Sequence, residues 1–95
     1  MLVRVAVSVF ELYIPGATSL KGKRKVIKSL VHRLRNRFNV SVSEIGYQDL
    51  WQRAELGLAV VCHNSAGADS IIEQIFAFIE AETEIDIITT RFENY

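Results

Sequence analysis

Cys62 and His63 set a nucleophile beside a base, but neighbouring residues of a strand point to opposite faces, so they cannot work as a pair. Cys62 reads as a core residue. His32, on a surface helix without a fixed carboxylate partner, reads as a member of a basic stripe rather than as a general base. One cysteine gives neither an intramolecular disulfide nor a thiolate zinc site, and there is no His and carboxylate spacing of a metal centre and no Gly-rich phosphate loop. Glu80, Glu82, Glu84 and Asp86 read as a solvated helix end and turn. A phosphatase of the acylphosphatase type would need an arginine in the loop after the first strand, and Pro15-Gly16-Ala17-Thr18 has none. No catalytic residue, metal or cofactor is expected, and the chemistry the sequence offers is that of binding.

The strongest binding signal is basic. At 100° per residue Lys21, Lys25, Lys28, His32 and Arg35 line one stripe of a helix, with Arg24 at its border, while Lys23, Arg33 and Arg37 flank the apolar side. Cations in the first turns oppose the helix dipole, which invites a compensating anion. A phosphate near Ser19 to Lys25 would meet backbone N–H groups and lysine heads together. The same pattern reads equally as a solvated charged face, partly neutralised by an acidic second helix.

The second signal is the segment Gln48, Asp49, Leu50, Trp51, Gln52 and Arg53. A turn built only to reverse the chain uses Gly, Asn or Pro; this one uses the single tryptophan, an acid and an arginine. Such loops are recognition surfaces with Trp and Arg as anchors, so Trp51 and Arg53 are read as contact residues. Leu50 is read as folding back to cap the core, and an Asp49–Arg53 pair is the competing structural reading.

These residues are carried by a regular alternation of elements. Val3, Val5, Val7 and Val9 recur at period two within residues 2–14, a strand. Thr18 or Ser19 caps a helix over 20–37 with Val26, Ile27, Leu30, Val31, Leu34 and Phe38 at helical spacing. Val40 and Val42 begin a more polar second strand, and Leu56, Leu58, Val60 and Cys62 share a face of a third. A helix over 66–82, capped by Asn64 or Ser65, and a strand over 85–92 complete the order βαββαβ. That order predicts an α+β, ferredoxin-like split βαβ fold, with both helices on one face of a four-stranded antiparallel sheet, as one domain over residues 1–95. With the Val3 to Val9 set under the helices, the open face would show Ala6, Ser8, Phe10, Gly57, Ala59 and Val61, and a homodimer is predicted through it.

Net charge is zero, but ten of the eleven basic residues and three acids lie in residues 1–53, a net of +7, against −7 for residues 54–95. Two faces of opposite potential follow. No signal-peptide order and no apolar run of membrane-spanning length occur, so a cytoplasmic protein with no membrane partner is expected.

Ile14-Pro15-Gly16-Ala17, Ser19-Leu20-Lys21-Gly22-Lys23-Arg24, Arg33-Leu34-Arg35-Asn36-Arg37-Phe38-Asn39-Val40-Ser41-Val42 and Gln48-Asp49-Leu50-Trp51-Gln52-Arg53-Ala54 together resemble the YlxP-like family of small bacterial proteins, over essentially the whole chain. The resemblance implies a ferredoxin-like fold and a domain of unknown function. It also implies genes that often neighbour ribosome maturation and translation factors. Gly22 departs from the Glu or other long polar residue that many members carry there, which weakens the capping box of the first helix. The expectation is a non-enzymatic module that binds RNA or the ribosome through its basic helix. The alternative is a dimeric small-molecule or anion-sensing domain with its ligand near the Pro15 to Ser19 turn.

Overall fold

The computed structural model describes residues 3–95 and contains β1 (Arg4–Tyr13), α1 (Leu20–Arg37), β2 (Ser41–Gly46), β3 (Arg53–Cys62), α2 (Ser65–Glu80) and β4 (Asp86–Asn94). Leu2, the expected first residue of β1, lies outside the described residues. The strands form one antiparallel sheet in the order β2-β3-β1-β4, the ferredoxin-like arrangement, with both helices against one face. No helix is long and apolar enough to cross a membrane.

The helices begin where their caps dictate. Ser19 is extended (φ −161°, ψ 162°) and its Oγ accepts the Gly22 N–H at 2.9 Å, while Asn64 Oδ1 accepts the Gly67 N–H at 2.7 Å. Before α1, the Ala17 N–H closes a turn onto the Ile14 carbonyl at 3.2 Å, and Pro15 and Gly16 form its exposed tip.

Ile27, Leu30 and Leu34 of α1 and Ile75 and Ile79 of α2 pack on Phe10 and Leu12 of β1 and Leu56 and Leu58 of β3. The Phe10 ring lies 6.3 Å from that of Phe76. This overturns the expected orientation of β1. Ala6, Ser8 and Phe10, assigned to the open face, are buried under the helices, and Val5, Val7 and Val9 line the open face with Gly57, Ala59 and Val61. The cause is register: Phe10 lies opposite Leu56, Ser8 opposite Leu58 and Ala6 opposite Val60, and directly opposed residues share a face. Once the leucines of β3 face the core, the even-numbered residues of β1 must join them. A shift of one residue would exchange the two faces, and the alternation within β1 does not say which occurs. Ser8 is tolerated inside because its Oγ donates to the Arg91 carbonyl at 3.1 Å.

Candidate nucleic-acid interface

The basic residues divide by their angle around α1. Lys23 lies about 40° from Ile27 and about 20° from Leu30 on the helical wheel, in the middle of the apolar stripe. It is 0% exposed, and so is not available to an external anion as expected. Its Nζ donates to Glu44 Oε2 at 2.9 Å and to the carbonyls of Tyr47 (3.0 Å), Arg53 (3.2 Å) and Gln48 (3.3 Å). Three N–H bonds serve four acceptors, so at least one is shared. The sequence did hold the signal: a lysine centred on a buried stripe must find partners inside.

The lysine fixes both ends of the β2–β3 loop, at Tyr47 and Gln48 and at Arg53, against the first turn of α1. Tyr47 adopts a left-handed φ of 57°, which costs a residue with a Cβ about 1–2 kcal/mol. The Arg53 guanidinium lies over its ring, 5.2 Å from the centroid, and pairs with Glu11. Arg53, expected as a contact residue, is thus engaged within the fold, and with Glu11 rather than with the Asp49 of the competing reading, because it is the first residue of β3 and stands opposite Tyr13 on β1, beside Glu11. Gln52, expected in the recognition set, is also engaged: its Nε2 donates to the Pro15 and Ala17 carbonyls at 3.0 and 3.1 Å, tying this loop to the β1–α1 turn. Ile14 N–H reinforces the tie by donating to the Gln52 carbonyl at 2.9 Å.

Held in this way, the tip of the loop presents apolar surface to solvent. Trp51 is 54% exposed and Leu50 47%, so Leu50 does not cap the core as expected; the buried aliphatic side chains of Ile14 and Ala17 already close that end of it. Tyr47 is exposed at 41%, and Gln48 and Asp49 are exposed beside it.

Lys21, Arg24, Lys25 and Lys28 are all exposed on α1. Among the described residues none of the four has a carboxylate within salt-bridge distance; the ion pairs are Lys23–Glu44, Arg33–Glu82, Arg53–Glu11 and Arg91–Glu55. Neutralisation by the second half of the chain thus reaches the flank of α1, at Arg33, and leaves its outer stripe bare. Ser19 Oγ is used by its capping bond, Arg35 Nη2 donates to the Val42 carbonyl at 2.8 Å, and His32 shares a hydrogen bond with Asn36. Cys62 is half-buried against the core and His63 is exposed.

Comparison with known proteins agrees with this architecture. The profile of the family described as "Protein of unknown function (DUF503)" matches residues 5–92. The uncharacterised protein YlxP of Bacillus subtilis is 45% identical over 83 residues, covering 87% of this chain and 90% of that protein. Among solved structures, the de novo designed protein Foldit4 superposes with a TM-score of 0.55 at 13% identity, covering 97% of this chain and 96% of its own. A designed protein described as having a ferredoxin fold gives 0.50 at 18% identity, covering 100% and 84%. At these identities the two designs speak for the fold alone.

Proposed function

Because the chain belongs to the DUF503 family, whose description assigns no activity, we propose its function from the surface it exposes: a non-enzymatic module that binds single-stranded RNA, in a ribosomal setting, along α1 and the β2–β3 loop. The observation that carries this reading is the unpaired cationic face of Lys21, Arg24, Lys25 and Lys28 on α1, together with the exposed ring of Trp51 on the loop that Lys23 ties to the same helix. Lys23 binds the carbonyls of Tyr47 and Gln48, so the aromatic loop and the first turns of the basic helix are one rigid unit. Phosphates would lie along the helix and a base would stack on Trp51. The mode differs from that of an RNA recognition motif, which stacks bases on its two central strands: here the open face of those strands carries Val5, Val7, Val9, Gly57, Ala59 and Val61.

The anion-sensing alternative requires a basic pocket near the Pro15 to Ser19 turn. A cleft of about 330 Å³ does lie there, lined by Ile14 to Thr18, Gly22, Val26, Thr83 and Glu84. Its one charged lining residue is Glu84, which repels an anion.

Four phosphate contacts with a single strand predict a slope of log affinity against log salt near −3. Changing Lys21, Arg24, Lys25 and Lys28 together to glutamate is expected to weaken RNA binding about a hundredfold or more at low salt. The fold should survive, since acids in the first turn complement the helix dipole. Trp51→Ala should cost a further ~1–3 kcal/mol of binding. Equal binding of ribosomal RNA fragments by the wild type and the fourfold variant, read by fluorescence anisotropy, overturns the proposal.

A further inference from the structure

We propose that the open face of the sheet is the interface of a homodimer, centred on Val7 and Ala59 rather than on the even-numbered residues of β1. Val7 and Ala59 lie directly opposite each other on the two central strands, flanked by Val5, Val9 and Val61, the last 73% exposed. At Gly57 the surface is low: a Cβ there would meet the Ile45 side chain at 3.1 Å, so Ile45 lies across the glycine and extends the apolar surface onto β2.

Size and charge point to a second copy as the occupant. Strands about 4.8 Å apart and roughly 3.4 Å per residue give four strands of this length an outline near 600 Å². Side-chain relief brings that close to the ~800 Å² per partner of a stable interface. Both arginines on this face are already matched, Arg53 with Glu11 and Arg91 with Glu55, which leaves Glu93, among the described residues, as an acid without a cationic partner. A copy approaching about a two-fold axis therefore meets apolar surface bordered by two neutral pairs and the acid Glu93 on β4. RNA is disfavoured because Glu93 adds an unpaired acid, and an anionic membrane finds no uncompensated lysine or arginine there. The basic face of α1 lies on the other side of the sheet, so the dimer is independent of the proposed RNA contact.

Sedimentation velocity between 5 and 100 µM (roughly the span of a moderate dissociation constant) tests it. The wild type is expected at twice the 10.8 kDa chain mass. Val61→Glu, a substitution at an exposed site, should weaken association roughly a hundredfold by placing like charges across the axis, with an unchanged circular dichroism spectrum. Ala59→Glu should do the same, and RNA affinity per chain should hold in both. A wild type that stays monomeric at the highest concentration overturns the proposal. So does a dimer that survives both substitutions, which would place the contact elsewhere, such as the uncovered edge of β4.

Discussion

Replacing Lys23 by methionine is expected to lower the midpoint of thermal unfolding by about 12–24 °C. The side chain keeps its volume, but Glu44 and the carbonyls of Tyr47, Gln48 and Arg53 lose their common donor. Removing one partner of a buried ion pair costs about 3–5 kcal/mol. The lower figure applies because Glu44 is partly exposed and recovers some hydration. In a domain of this size about 3 kcal/mol corresponds to 12–24 °C. Adding Glu44→Gln to Lys23→Met should recover part of the loss, since it removes the stranded charge but leaves the carbonyls without a donor. The single tryptophan lies on the loop that Lys23 holds, so its emission should change before the far-ultraviolet signal does. Coincident transitions and a midpoint within a few degrees of wild type would show that the loop holds without the lysine.

Phe10→Ala is expected to be the most damaging truncation on β1, costing about 3–5 kcal/mol, whereas Val9→Ala should cost under about 1 kcal/mol. Phe10 is fully buried on a central strand against Leu56 and Phe76; Val9 lies on the open face opposite Gly57. The pair measures the orientation of β1 directly, because the assignment of Val3, Val5, Val7 and Val9 to the core demands the reverse ranking. Urea denaturation of both variants decides it.

The helices, their serine and asparagine caps and the βαββαβ order were legible because each rests on local chemistry: helical spacing, a side chain that accepts an N–H three residues on, a Pro-Gly break. The face of β1 was not legible, because both of its residue sets are apolar enough for a core and the register with β3 is set across more than forty intervening residues. Lys23 was read by residue type, as one more cation, when its angle on the helix placed it with Ile27, Leu30 and Leu34. The loop between β2 and β3 was located correctly, but two of its polar residues, Gln52 and Arg53, were assigned outward. Gln52 and Arg53 are spent on internal partners that come from distant parts of the chain, Pro15, Ala17 and Glu11, and no sequence spacing announces those contacts.

Every lysine of the chain falls within residues 21–28, and the structure divides them into three that solvent reaches and one that it does not. Reagents that acylate side-chain amines will therefore modify Lys21, Lys25 and Lys28 and spare Lys23, whose amine opens to solvent only when the β2–β3 loop lifts. A shift from three modified lysine side chains to four in the intact mass becomes a clock for that local opening, separate from global unfolding. The same clustering governs handling: coupling the protein to a surface through its lysines fixes it by the outer face of α1. An immobilised sample prepared in that way would hide the residues whose contacts it was meant to measure, whereas attachment through an added C-terminal tag leaves them free.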